Sequence, residues 1–200
     1  MDLNKRKAGQ LTCFFVTLNN KKNKKFFQKR VFNKEGGSQM QIEEMVGQQL
    51  IQHQLSITSA ESLTAGLFVS QLANVSGISA VLPGAFVTYS AAAKHQLVGV
   101  PNDLIENYGV VSEQVALAMA SGAQAALNTD FAVSFTGVAG PDALEGHPAG
   151  TVFIGLVGPQ QYAKVIKVGL TGDRSAVRQQ SVTQGMQMVL DALADLKISD

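Results

Sequence analysis

The sequence predicts a three-layer α/β/α sandwich built as a single domain and preceded by a basic tail. Three observations carry that expectation. Short apolar runs of strand length, at 131–136, 151–157 and 163–168, recur through the second half of the chain. Around them lie longer segments whose apolar residues repeat at three- and four-residue steps, the spacing of one helical face. The third observation is size: with 200 residues, 46% of them hydrophobic, the chain can bury one good core. Strands alternating with helices imply a layered domain that binds ligands at strand ends.

Taken in order, residues 42–54 put Ile42, Met45, Val46, Leu50 and Ile51 on one helical face, and a first strand begins at Ile57. The stretch SITSAESLTAGLFVSQL, 56–72, reads as strand, tight turn and helix. That helix is expected over 63–74, with Gly77 breaking its pattern. Residues 80–89, AVLPGAFVTY, read as a strand entered through the Pro83-Gly84 turn signal. Ser90 caps a short helix over 91–97 whose outward face carries Lys94, and Pro101 suits the first turn of another through Ile105. Ser112 and Glu113 start a longer helix to about 127, with small residues such as Ala116, Ala120 and Ala123 that let it lie close to a sheet. The strand at 131–136 empties into GVAGPDALEGHPAG, too irregular for an element of its own; a loop of that length in a compact domain is more often functional than ornamental. Strands at 151–157 and 163–168 are joined across Gly158-Pro159. A last helix over 173–196 carries Val177, Val182, Met186, Val189, Leu190 and Leu193.

The formal net charge of +1 hides an uneven distribution. Residues 1–39 carry ten Lys or Arg against two acids, while the remainder carries six basic and thirteen acidic residues. A mildly acidic body lacks the clustered cations that phosphate contacts need, so nucleic acid is not an expected partner unless the basic segment supplies the contact. Three readings of that segment stay open: a nucleic-acid-binding arm with interleaved phenylalanines, an amphipathic membrane-surface segment, or a stretch foreign to the functional protein. The compositional break at Met40 favours the last. The expected organisation is a disordered or non-native tail over 1–39 and a domain over 40–200.

Cys13 is the single cysteine, so the chain has no intrachain disulfide framework and no thiolate metal cluster. His53, His95 and His147 are scattered and lack the spacing of a helical metal pair, and no metal site is expected. No apolar run reaches the roughly 18 residues of a membrane span, and the expected location is the cytoplasm.

Four polar clusters fall where strands end and helices begin. The first, Glu61-Ser62-Leu63-Thr64-Ala65-Gly66, puts a hydroxyl beside helix N-terminal amides, an environment that suits an acyl-transfer nucleophile because those amides can stabilise an oxyanion. Ser62 can equally be a cap, and Thr58 with Glu61 fits a capping box. In the second cluster Tyr89 and Lys94 bring a phenol and an amine. The amine is a usable base only if burial or a neighbouring cation lowers its pKa; otherwise it is a solvated helix residue. The third, Thr136-Gly137-Val138-Ala139-Gly140-Pro141-Asp142, has neither Walker nor Rossmann spacing. In the fourth, Arg174 and Arg178 share one helix face near its N-terminus. There they can bind an anion, or pair with a carboxylate such as Asp173.

As a set, AESLTAG (60–66), GAFVTYS with AK (84–90, 93–94), GVVSE (109–113), TGVAGPD (136–142), PAGTVF (148–153) and TGDRSAVR (171–178) resemble the C-terminal domain family of competence-damage-induced protein CinA. The resemblance covers about 42–193 and none of the basic segment. Stand-alone members of that family include nicotinamide-mononucleotide amidohydrolases, and longer relatives carry an N-terminal domain of another type. The family pattern E-S-C-T-G-G meets Leu63 in place of its Cys and Ala65 in place of its first Gly. Leu63 is expected to pack into the core, and Ala65 adds a methyl where backbone approaches ligand.

The resemblance implies hydrolysis of the nicotinamide carboxamide to nicotinic acid mononucleotide and ammonia, without cofactor or metal, by a homodimer. It implies Ser62 as nucleophile, Lys94 as its base and Tyr89 as partner to that lysine. The amides of Leu63, Thr64 and Ala65 would hold the oxyanion. Glu61, Thr136, Gly137, Gly140, Arg174 and Arg178 would bind the nucleotide. The competing expectation is a non-catalytic nucleotide-binding or competence-associated protein that keeps the fold.

Overall fold

Strands that alternate in phase explain why the sheet is coated on both faces. The computed structural model describes residues 40–196; the basic segment 1–39, with the readings attached to it, lies outside the described residues. The described elements are α1 (Ile42–His53), β1 (Ile57–Glu61), α2 (Leu67–Leu72), a 3-10 turn (Ile78–Ala80), β2 (Phe86–Val87), α3 (Ala91–Val98), α4 (Asn102–Tyr108), α5 (Glu113–Leu127), β3 (Phe131–Gly137), β4 (Thr151–Gly158), β5 (Tyr162–Gly169) and α6 (Arg174–Asp195). The five strands form one mixed sheet in the order β2-β1-β3-β4-β5. β1 runs parallel to β2 and β3, while β4 is antiparallel to both of its neighbours.

Along β3, Phe131, Val133 and Phe135 enter the core shared with α1, α2 and α6. Ala132, one residue out of phase, packs with α5 on the other face. β4 repeats the arrangement: Val152, Ile154 and Leu156 face the first core and Val157 the second. Both faces are therefore buried, as expected of a sheet between two helical layers. α5 lies close because its small residues meet a glycine below: a Cβ at Gly155 would stand 2.8 Å from the Ala116 carbonyl oxygen. Among the described residues no helix is long and apolar enough to cross a membrane.

Two short elements differ from the sequence expectation. The helix expected over 63–74 is shortened to Leu67–Leu72, because residues 62–66 form a turn in which Ala65 (φ 50°) and Gly66 (φ 89°) are left-handed. A left-handed pair cannot continue an α-helix. The strand expected over 80–89 is reduced to Phe86–Val87, its front end taken by the 3-10 turn and by the Pro83-Gly84 corner. Leu63 is buried in the core as expected.

A glycine inside α5 distinguishes packing from helix propensity. Alanine in a helix interior ordinarily gains about 1 kcal/mol over glycine. At Gly122, however, a Cβ would fall 1.7 Å from the Val98 carbonyl oxygen at the end of α3. Gly122→Ala is therefore expected to lower the unfolding free energy by about 1–3 kcal/mol. Urea unfolding checks this, and a gain of stability would contradict the packing.

Candidate active site

Ser62 follows directly on β1, and its amide donates to the Phe135 carbonyl of β3 at 3.0 Å. The chain then turns sharply, and two charged residues hold the turn from opposite ends. From below, the fully buried Glu61 carboxylate accepts from the amides of Gly66 (2.9 Å), Phe68 (3.1 Å) and Val69 (3.1 Å) and from the Ser59 hydroxyl (2.9 Å). It thereby satisfies donors that a helix start leaves orphaned. From α6, Arg178 donates through Nε to the Leu63 carbonyl at 2.9 Å and through Nη2 to that of Thr64 at 2.8 Å.

Glu61 and Arg178 were expected to bind substrate; in the structure the Glu61 carboxylate accepts from the turn's own amides and Arg178 donates to its carbonyls. Glu61 does cap, but not through a box with Thr58, which lies in β1 and donates to the Gly84 carbonyl. Ala65 also leaves the expected oxyanion set, because its amide donates to the Ser62 carbonyl at 3.1 Å. The amides of Leu63 and Thr64 have no hydrogen-bond partner among the described residues.

Lys94 is not on an outward face. α3, capped by the Ser90 hydroxyl on the Ala93 amide, turns Lys94 inward, where it is 1% exposed. Its Nζ donates to Ser62 Oγ at 3.1 Å and to the Thr88 carbonyl at 2.8 Å. Burial lowers its pKa from 10.5 to about 8, against the Glu145 carboxylate, which raises it. Tyr89 is not its partner: the residue is 56% exposed, and its phenol oxygen accepts from Arg174 Nη2 at 2.7 Å. Lys94 meets the main-chain carbonyl of Thr88, while the Tyr89 side chain lines the cavity. Arg174 also donates through Nη1 to the Gly140 carbonyl at 2.9 Å. Asp173 spends its carboxylate on the Ala176 amide as the N-cap of α6.

These residues surround a cavity of about 310 Å³. Ser62, Tyr89 and Arg174 line it, as do Val110 and Val111 and the segment carrying Thr136, Gly137 and Gly140. Thr136 donates its hydroxyl to the Val110 carbonyl, tying two walls together. Lys94 lies beneath Ser62 and outside the lining. Sequence reasoning did not single out Val110 and Val111 as wall-forming residues; the GVVSE run was the available signal for them. The arrangement can pass a proton from a hydroxyl to a buried amine and present a guanidinium to an anion, both from one cavity.

A desolvated ammonium is a stability cost that removal should reveal. Because the folded-state pKa lies below the unfolded one, the folded protein binds fewer protons between pH 8 and 10.5, and stability rises with pH across that window. Lys94→Met is expected to be more stable than wild type by about 1–3 kcal/mol at neutral pH. The advantage should shrink as pH rises past 8. Thermal unfolding at several pH values measures it, and a variant less stable at neutral pH would contradict the sign.

The model of the CinA C-terminal domain family matches residues 39–193. Relatives named competence-damage inducible protein include one from Levilactobacillus brevis, 53% identical over 80% of this chain and 39% of its own length. Another, from Lactiplantibacillus plantarum, is 54% identical over 74% of this chain and 36% of its own. The chain thus spans less than half the length of these relatives. A solved structure of a CinA superfamily protein from Klebsiella pneumoniae superposes with a TM-score of 0.74 at 30% identity, covering 77% of this chain and 96% of that one. A second, from Escherichia coli, gives 0.73 at 31% identity over 76% and 88%. The family model over 39–193 and relatives 53% and 54% identical together show that the chain belongs to the CinA C-terminal domain family, of competence-damage type.

Proposed function

We propose that the chain is a Ser-Lys amidohydrolase that converts nicotinamide mononucleotide to nicotinic acid mononucleotide and ammonia. The observation that carries this reading is the 3.1 Å contact between Lys94 Nζ and Ser62 Oγ at the floor of a cavity. With a pKa of about 8, roughly a tenth of Lys94 is neutral at pH 7, enough for a general base. Neutral Lys94 accepts the Ser62 hydroxyl proton as Oγ bonds to the carboxamide carbon. The carbonyl electron pair moves onto oxygen, where the Leu63 and Thr64 amides receive it. Lys94 returns the proton to the amide nitrogen as the C–N bond breaks, and ammonia leaves. Water then attacks the ester, giving its proton to Lys94, and Ser62 recovers its proton as the carboxylate is released.

Arg174 is the candidate for the 5′-phosphate. Two of its five donors are engaged by Gly140 and Tyr89, which hold the guanidinium at the cavity mouth with three donors remaining. The cavity volume suits a small molecule.

Ammonia release from the mononucleotide tests the reading. Wild type is expected to turn over, and Ser62→Ala to lose activity on the order of 10³-fold or more with its fold retained. The base predicts the pH profile as well: kcat/KM should rise with unit slope below pH 8 and level off above it, since only the neutral amine accepts a proton. Turnover by Ser62→Ala, or a flat profile from roughly pH 6 to 9, would overturn the mechanism. No turnover in either protein while nucleotide still binds would favour a non-catalytic binder.

A further inference from the structure

The loop between β3 and β4 contains a small device that the mechanism does not use. Leu144 and His147 exchange both backbone hydrogen bonds, at 3.1 and 2.9 Å, making a two-residue hairpin whose tip is Glu145-Gly146. Both tip residues are left-handed, with φ of 51° and 76°. Such a tip is natural for glycine and unfavourable for glutamate. What the conformation achieves is aim. The Glu145 carboxylate crosses to the start of α5, where Oε1 accepts from the Val110 amide at 3.1 Å and Oε2 from the Val111 amide at 3.0 Å. Two successive amides gripping one carboxylate form an anion nest.

The receiving side is shaped for this contact. Gly109 has a φ of 74°, and a Cβ there would stand 2.5 Å from Glu145 Oε2. The Val110 carbonyl is held from its other side by the Thr136 hydroxyl. Val110 and Val111 form one wall of the cavity, and Asp142, Ala143 and Leu144 form another. Glu145 is therefore a tie between two walls that no strand pairing joins.

We propose that Glu145 is a positioning residue for substrate, its carboxylate bound to the Val110 and Val111 amides so that the 142–144 wall stands at the right distance from Ser62. The proposal rests on the hydrolase reading above. It assigns Glu145 no contact with the reacting atoms, and so its loss acts on substrate binding before it acts on chemistry. A second effect follows from charge. Among the described residues, charged groups at or beneath the cavity include Lys94, Arg174, Asp142 and Glu145, with Glu61 and Arg178 bonded to the Ser62 turn, and Glu145 is the one whose field raises the Lys94 pKa. Removing that charge should move the acidic limb of the profile to lower pH.

The test compares the full chain with Glu145→Ala, Glu145→Gln and Gly109→Ala. By hydrogen exchange, Glu145→Ala and Gly109→Ala should speed exchange in peptides covering 109–112 and 141–149 while β3 and α5 keep their protection. This arm needs no turnover, so a failure of the proposed reaction is distinguished from a failure of the tie. In the ammonia assay Glu145→Ala should raise KM for nicotinamide mononucleotide about tenfold with kcat within about threefold. Glu145→Gln, which keeps one acceptor oxygen, should fall between it and wild type in KM. Both Glu145 variants should shift the limb downward. Unchanged exchange at 109–112 or a KM within about twofold of wild type would overturn the proposal. So would exchange rising across β3 and α5, which would make Glu145 a general support of the fold.

Discussion

The grip of the buried Glu61 carboxylate on three backbone amides is the contact on which the rest of the site depends. Residues 62–66 must reverse the chain within one turn, with two left-handed residues, and Ser62, Leu63 and Thr64 do so while buried. Without this acceptor the amides of Gly66, Phe68 and Val69 would lose their partner, a penalty of about 1–3 kcal/mol for the buried Phe68 amide and less for the two part-buried ones. Arg178 completes the restraint by taking the turn's outward carbonyls. An acid at one end of the turn and a base at the other match the two ends of its peptide dipoles. Ser62 is thereby held between its bond to β3 and the tip of Lys94.

Lys94 illustrates how one placement serves two opposing ends. A lysine buried against a hydroxyl and a carbonyl destabilises the fold, since its charged form has lost water. The same loss brings its pKa near neutrality, where an amine can accept a proton. α3 can bear the cost because Val98 packs in the second core, anchoring the helix one turn beyond the lysine. One desolvation thus both burdens the fold and brings the amine's pKa down to about 8.

Long elements were legible from periodicity because burial of a face demands it. α1, α5 and α6 and strands β3 to β5 lie within a few residues of their expected bounds, each with several apolar repeats in register. The two short elements were not legible. Leu63, Phe68 and Leu72 do keep a helical rhythm, yet the left-handed pair at Ala65 and Gly66 interrupts it, and one-residue φ values leave no periodic trace. At the candidate site, residue types singled out the segments that line the cavity, but not what each charged side chain meets. Glu61 and Arg178 lie beside cavity-lining residues in sequence, while in space they bond to the turn's own backbone. Tyr89 follows Thr88, and Lys94 takes the main-chain carbonyl of Thr88, an acceptor that residue type does not reveal. The contact between positions 62 and 94 is tertiary, so spacing alone could not have measured it.

The central claim is that Ser62 becomes covalently acylated, and rapid acid quench of the enzyme with nicotinamide mononucleotide, followed by peptide mass spectrometry, tests it most directly. The account predicts that the peptide containing Ser62 carries the nucleotide less the elements of ammonia during turnover, and that the adduct disappears once substrate is exhausted. Turnover with no adduct on that peptide, or an adduct on a different side chain, would contradict it.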